Sequence, residues 1–179
     1  MDALVVVESV FGNTRRIAEA VAEGLGPRVH ARVVDVSEVA GAVDGADLLV
    51  VGGPTQAFGM TRPATRRSAA EQAGDGAVAA RVGLREWLTT LADVEHGRLA
   101  ATFDTRADHP RMPGSAAAGA ARRLRHLGYR MVTGPESFRV TGTKGPLVGG
   151  ELERARMWGS ALVARIVADA AERTELTGR

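Results

Sequence analysis

Short apolar runs alternate with amphipathic helical segments along the chain, and this alternation constrains the fold more than any other feature. The first run, Leu4–Glu8, is rich in valine, and a helical pattern with one apolar stripe follows it from Asn13 to Leu25. Continuous apolar runs are typical of strands that a parallel sheet buries on both faces. Strands that alternate with helices predict right-handed crossovers. The sequence therefore predicts an α/β domain built on a doubly wound parallel sheet.

Five strands can be placed on this pattern. They are Leu4–Glu8, His30–Val36, Asp47–Gly53, Arg98–Phe103 and a split fifth strand that starts at Tyr129–Thr133 and resumes at Ser137–Val140. The main helices are predicted at Asn13–Leu25, Pro63–Ala73, 83–94, Ser115–Leu127 and about Gly150–Glu172. Residues 68–82 are rich in alanine and glycine and are predicted to form a flexible loop. Five strands in 179 residues fit the smaller doubly wound order 2-1-3-4-5, in a single domain over residues 1–179.

Composition excludes several classes of protein. The chain has no cysteine, which excludes disulfides, thiolate metal sites and cysteine nucleophiles, and no metal is predicted. Acidic residues and arginines are interspersed, the formal net charge is +2 and aromatic residues are 4% of the chain, so no nucleic-acid partner is expected. No apolar run has the length of a membrane span, and the N-terminus lacks the pattern of a signal peptide. A cytoplasmic location is expected.

Ligands of doubly wound sheets bind outside the carboxyl ends of the strands, where the strand order reverses. The loops that follow the first, third and fourth strands are therefore the candidate site. In the first loop, Gly12 lets the backbone approach a ligand, while Ser9 and Thr14 add hydroxyls and Asn13 an amide. Because a helix N-terminus favours an anion, these residues suit a phosphate cradle. They equally suit a plain helix start in which Asn13 or Thr14 is the N-cap.

Ser9, Gly12, Asn13 and Thr14 resemble the first loop of the flavodoxin family, which reads Ser/Thr-x-Thr-Gly-Asn-Thr before a helix. Phe11 departs from that pattern, because flavodoxins usually have a threonine there whose hydroxyl also meets the phosphate. An aromatic residue before the glycine is closer to the tryptophan-repressor-binding-protein type of quinone reductase. The resemblance implies that the phosphate of FMN is bound by Ser9, Val10, Phe11, Gly12, Asn13 and Thr14.

The loop after the third strand extends this resemblance. Its sequence "GGPTQAFG" is similar to the Gly-x-Pro-Thr segment, followed by an aromatic residue and a glycine, that borders one face of the isoalloxazine ring in flavodoxin-like folds. The resemblance implies flavin contacts from Pro54, Thr55, Gln56, Ala57, Phe58 and Gly59, with Phe58 or Met60 against the ring. Without the first loop, the same segment would be a turn with Phe58 buried in the core.

The loop after the fourth strand begins with Asp104, Thr105 and Arg106, which the resemblance also assigns to the flavin site. It lacks the tyrosine that single-electron flavodoxins usually stack on the flavin, since the one tyrosine of the chain is Tyr129. Positive charge near the pyrimidine end of the flavin would come instead from Arg106, His109 and Arg111, and it would favour the anionic reduced form. A solvated arginine loop is the alternative interpretation.

Three functions fit these patterns. The first is an FMN-binding flavodoxin-like electron carrier whose partner is a reductase or an acceptor protein. The second is an FMN-dependent NAD(P)H:quinone reductase, in which a small quinone is the acceptor and a homodimer interface builds the second nucleotide site. The third is a binding module that has kept the fold without the flavin. The carrier is favoured because a chain of this length leaves no second domain for a dedicated substrate pocket.

Overall fold

A computed structural model describes residues 1–39, 43, 45–74, 82–94, 97–108 and 113–177. The strands in these residues are β1 Asp2–Val7, β2 His30–Asp35, β3 Leu48–Pro54, β4 Leu99–Ala107, β5 Arg130–Met131 and β6 Glu136–Val140. The α-helices are α1 Asn13–Leu25, α2 Pro63–Ala73, α3 Leu84–Thr90, α4 Ala116–His126 and α5 Glu151–Thr177. A 3-10 turn at Val36–Glu38 follows β2. Within the described ranges, no helix combines the length and the apolarity that a membrane crossing requires.

The strands form one parallel sheet in the order β2-β1-β3-β4, with β5 and β6 both paired to β4. β5 pairs with the first residues of β4 and β6 with its last residues, so the two are halves of one split fifth strand. The predicted order 2-1-3-4-5 is therefore confirmed. The order reverses at β1, which lies between β2 and β3, and the carboxyl ends of β1 and β3 open there toward the same edge of the sheet.

Apolar layers cover both faces of the sheet, because successive side chains of a strand point to opposite sides. Val5 and Val7 of β1 face a layer made with α1 and α5, whereas Leu4 and Val6 face a layer made with α3 and α4. Burial on both faces explains why the strands read as continuous apolar runs rather than alternating ones.

The helix predicted at Pro63–Ala73 is confirmed, so the flexible loop predicted over residues 68–82 is wrong in its first part, where the two predictions overlap. Helix α2 continues through Ala73 and ends at Gly74, so residues 68–73 are helical. Pro63 opens this helix at a position where a missing N–H costs nothing, and alanine is a strong helix former throughout it. Residues 75–81 of the predicted loop lie outside the described residues.

Two glycines bring the backbones of α1 and α5 together. A Cβ atom on Gly24 would lie 2.1 Å from the carbonyl oxygen of Arg156, and one on Gly159 would lie 2.4 Å from that of Val21. Both distances are far below van der Waals contact, and a backbone carbonyl has little freedom to move away. The close crossing of these helices therefore depends on glycine at both positions.

We expect Gly159→Ala to destabilise the protein, although alanine gains about 1 kcal/mol of helix propensity over glycine. Overpacking a tight contact costs about 1–3 kcal/mol, and here the obstacle is backbone. Gly119→Ala in α4 is the matched control, since its Cβ would meet the flexible end of Met60 at 3.2 Å. Urea unfolding should place Gly159→Ala about 1–2 kcal/mol below Gly119→Ala. Equal stabilities of the two variants would contradict the close crossing.

Candidate ligand-binding site

The loop after β1 forms a candidate anion cradle at the start of α1. Gly12 is the N-cap residue with φ 80°, a left-handed conformation that favours glycine, and no side chain caps the helix at this position. The backbone N–H groups of Gly12, Asn13 and Thr14 donate no hydrogen bond to any described residue. Ser9 Oγ accepts the next one, from Arg15, at 3.3 Å. The alternative in which Asn13 or Thr14 caps the helix is therefore wrong, and three donors point outward from the helix end.

The side chains of this loop fix it to other segments. The hydroxyls of Thr14 and Thr105 form a buried hydrogen bond of 2.7 Å, which joins α1 to β4. Asn13 Nδ2 donates to the backbone carbonyl of Lys144 at 2.8 Å, which joins α1 to the segment after β6. The cradle thus offers a ligand chiefly its backbone N–H groups, while its polar side chains hold it in place.

The loop after β3 contains a strained two-residue turn. Gln56 and Gly59 exchange two backbone hydrogen bonds of 2.9 and 3.1 Å, and Ala57 and Phe58 between them have φ 42° and 72°. Residues other than glycine adopt such angles at a cost of about 1–3 kcal/mol, and they do so most often at functional sites. Phe58 is 57% exposed, so the alternative that buried it in the core is wrong.

Asp104 lies behind this loop and is fully buried. Its Oδ2 atom accepts hydrogen bonds from the hydroxyls of Thr55 at 2.8 Å and Ser115 at 2.6 Å, and from the N–H of Ala117 at 3.1 Å. The Thr55 hydroxyl in turn accepts from the N–H of Ala116 at 2.8 Å. Asp104 therefore ties the loop after β3 to the end of β4 and to the start of α4.

Glu8 at the end of β1 is the second buried carboxylate, 3% exposed. It accepts hydrogen bonds from the Thr61 hydroxyl at 2.6 Å and from the Leu84 N–H at 2.8 Å. Arg66 donates to Thr61 at 3.0 Å and pairs with Glu86 at 2.9 Å. Burial raises the pKa of Glu8 above 4.5, against the hydrogen bonds from Thr61 and Leu84 and the charge of Arg66, which lower it.

A cavity of about 380 Å³ opens at the carboxyl ends of the strands. It brings together most of the residues predicted for the site: Val10, Phe11, Asn13, Thr14, Pro54, Thr55, Gln56, Ala57, Thr105 and Arg106. Ser9, Gly12, Phe58, Gly59 and Asp104 do not line it; they form the neighbouring loops or support them from behind. Met60 packs into the apolar layer below α3 and α4 rather than into the cavity. His109 and Arg111 lie outside the described residues.

Two walls of the cavity were missed by sequence reasoning. One is the face of α2 that carries Thr65, Ser68, Ala69 and Gln72; the other consists of Ala107, Val140, Gly142 and Thr143. The spacing of the α2 residues, three or four apart, was a readable signal because it places them on one helix face. The predicted helix Pro63–Ala73 contains all four residues, but the flexible loop predicted from residue 68 overlaps three of them. In the second wall, Ala107 directly follows the predicted residue Arg106 in β4, whereas the other three residues come from the end of β6 and the turn after it, far along the chain, and carry no local signal.

Comparison with solved structures identifies the fold. A flavodoxin from the domain Archaea matches with a TM-score of 0.63 and 19% identity over 93% of this chain and 99% of that one. Flavodoxin 1 from Bacillus cereus matches with a TM-score of 0.64 and 17% identity, over 92% of this chain and 98% of that one. A flavodoxin, WrbA-like protein from Agrobacterium tumefaciens matches with a TM-score of 0.53 and 19% identity, over 91% of this chain and 95% of that one. The chain therefore has the flavodoxin fold.

Comparison at the level of sequence adds no relative. No family model matches the chain, and no curated protein matches it significantly. The similarity to solved structures concerns the fold, and a fold by itself does not define a function. The function therefore depends on the residues that line the cavity.

The raised pKa of Glu8 makes its contribution to stability depend on pH. The folded state holds the proton more tightly than the unfolded state does, so this contribution is fully present below pH 4.5 and is lost as pH rises through the folded-state pKa. Glu8→Gln has no such proton. In urea unfolding from pH 4 to pH 8, the stability of Glu8→Gln relative to wild type should therefore improve as pH rises through this window and then level off. A difference that stays constant over this range would contradict the shift.

Proposed function

We propose that the protein binds FMN in this cavity and carries electrons between redox partners. The observation that supports the proposal most strongly is the convergence of the loops after β1, β3 and β4 on one cavity, at the edge where the strand order reverses. Bound FMN would supply reversible uptake and release of electrons, which the side chains of this site do not provide. The residues of the cavity have to bind it, orient it and limit its contact with water.

The cradle fits the phosphate end of FMN. The N–H groups of Gly12, Asn13 and Thr14 have no partners among the described residues, and the dipole of the 13-residue helix α1 adds positive potential at the same point. A Cβ atom on Gly12 would meet nothing within 4 Å, so the space in front of the glycine is open. An anion at this position would complete the hydrogen bonds of the helix start.

The rest of the cavity fits a flat ring with a polar edge. Its lining includes the apolar residues Val10, Phe11, Pro54, Ala57, Ala69 and Val140. Gln56 Oε1 is a buried acceptor with no hydrogen-bond partner among the described residues, and a ligand N–H or O–H would satisfy it. Arg106 supplies positive charge at the end of β4. The volume of about 380 Å³ lies within the range of small-molecule sites, roughly 300–1,000 Å³.

The carrier is favoured over the reductase by the outer surface of the site. Phe58 follows Ala57, which lines the cavity, and presents a largely exposed aromatic ring to solvent. Exposed aromatic residues are enriched at protein interfaces, so a partner docked on this turn would lie close to the bound cofactor. A quinone reductase additionally needs a site for its nicotinamide donor, which a homodimer interface would have to build.

Titration of FMN with the protein, followed by quenching of flavin fluorescence, tests binding, and two variants test the cradle. Gly12→Asp places a carboxylate where the phosphate is proposed to lie, and Gly12→Asn is its neutral match; both residues tolerate left-handed backbone. Like-charge repulsion should weaken FMN binding to Gly12→Asp at least about tenfold relative to Gly12→Asn. Riboflavin, which has no phosphate, should bind both variants equally.

Two outcomes of this titration would count against the proposal. Absence of quenching with wild-type protein would remove the proposed function as a whole. Equal FMN affinity of the aspartate and asparagine variants would place the phosphate somewhere other than the cradle.

Turnover separates the carrier from the reductase. The purified FMN-loaded protein, mixed with NADPH and a soluble quinone, should show no steady NADPH oxidation above the level of free FMN. Addition of a flavoprotein reductase that accepts NADPH should start the transfer of electrons through the protein. Sustained turnover without the added reductase would favour the quinone reductase instead.

A further inference from the structure

The segment Thr141–Val148, which we call the strap, folds back on the end of β6 before α5 begins. Val140 and Leu147 form an antiparallel bridge, and the Thr141 N–H donates to the Pro146 carbonyl at 2.8 Å. The strap is therefore a closed turn held by its own hydrogen bonds. Gly142 and Thr143 on one side of it line the cavity.

Lys144 in the strap contacts two helices that both line the cavity. Its backbone carbonyl accepts from Asn13 Nδ2 of α1 at 2.8 Å, and its Nζ atom donates to the carbonyl of Gln72 of α2 at 2.6 Å. Asn13 and Gln72 are both lining residues. The lysine side chain thus runs from the cradle side of the cavity to its α2 side.

Gly145 fixes the position of the strap against the cradle. It has φ 99°, and a Cβ atom on it would lie 2.4 Å from Asn13 Nδ2. The backbone of the strap therefore packs directly on the side chain of the residue whose N–H belongs to the cradle. This contact keeps the backbone of Lys144 beside the cradle, and it does not depend on the hydrogen-bond partner of the ammonium group.

The charge balance of the site leaves a role for this lysine. The cradle itself contains no cationic side chain. In the first turn of α1, Arg15 pairs with Glu19 at 3.1 Å, and the side chain of Arg16 is exposed. Arg106 is the one charged side chain among the described residues that line the cavity, and it lies at the end of β4. A phosphate monoester brings nearly two negative charges, which backbone N–H groups do not neutralise. Lys144 is exposed and is not itself a lining residue, and its ammonium group uses one of its three donors on the neutral carbonyl of Gln72.

We infer that Lys144 is a phosphate-binding residue of this site, and that its ammonium group turns from the Gln72 carbonyl to the phosphate of the ligand. The inference rests on the proposed function, because it takes FMN as the ligand. A charge-assisted hydrogen bond to a dianion is stronger than one to a neutral carbonyl, which supplies the reason for the exchange. The lysine would then select phosphorylated flavin over riboflavin.

Lys144→Met tests the inference, because it keeps the length of the side chain and removes its charge. FMN affinity, measured by fluorescence quenching at 20 mM and 300 mM salt, should fall about tenfold at low salt and less at high salt. Riboflavin affinity should change less than about twofold. Lys144→Arg should retain most of the FMN affinity.

Arg28→Met is the control for the loss of one positive charge. Arg28 is exposed and follows the far end of α1, about 20 Å from the cradle along the helix, so screening should leave its FMN affinity unchanged. Wild-type FMN affinity in Lys144→Met would overturn the inference and leave the proposed function standing. Failure of wild-type protein to bind FMN would overturn both.

Chemical labelling gives a second readout, because Lys144 is the sole lysine of the chain. Acetylation of its ε-amine by an N-hydroxysuccinimide ester can be followed by mass spectrometry of the Lys144 peptide, with the N-terminal amine as internal reference. Saturating FMN should slow this acetylation several-fold, and saturating riboflavin should slow it much less. An acetylation rate that FMN leaves unchanged would overturn the inference.

Discussion

Two buried carboxylates hold the loops of the site from behind, and the shape of the cavity depends on them. Glu8 directly follows β1 and Asp104 lies near the end of β4, on either side of Gly53 in β3. An ionised carboxylate is costly to bury unless it accepts good hydrogen bonds. Glu8 obtains its donors from Thr61 and from the start of α3, and Asp104 from the loop after β3 and the start of α4. Hydrogen bonds to these two carboxylates therefore connect four separate segments to the carboxyl ends of β1 and β4.

The sequence was sufficient for the sheet and for the loops that follow its strands, because both depend on local patterns. Valine-rich runs mark buried strands, and Gly12 before a helical stripe marks a turn at a helix start. Convergence of the loops then follows from parallel strands. The position of the strap against the cradle could not be predicted from local patterns, because the contact of Asn13 with Lys144 joins residues 131 positions apart. Arg66 in α2 is 1% exposed, and no local pattern predicts its burial, because charged residues are mostly on the surface.

The cradle uses its own side chains to hold its shape, and this explains how it accommodates Phe11. The Thr14 hydroxyl is bonded to Thr105 and the Asn13 amide to the strap, so an anion would be held by backbone N–H groups. Such recognition does not depend on a hydroxyl at position 11. Phe11 lines the cavity and adds apolar surface. The departure from the flavodoxin pattern would therefore change the wall of the cavity more than the proposed means of binding a phosphate.

The strained turn at Ala57 and Phe58 is held by close packing on one side and by hydrogen bonds on the other. Gly114 packs so closely that a Cβ atom on it would lie 1.8 Å from the Phe58 carbonyl oxygen. On the other side, Thr55 is fixed by Asp104, and Gln56 and Gly59 close the turn with two hydrogen bonds. A relaxed turn with Asn-Gly at its centre would meet the same backbone requirement at lower cost. The strain at Ala57 and Phe58 is therefore not needed to reverse the chain. What these two residues add is apolar surface: Ala57 lines the cavity, and Phe58 is exposed beside it.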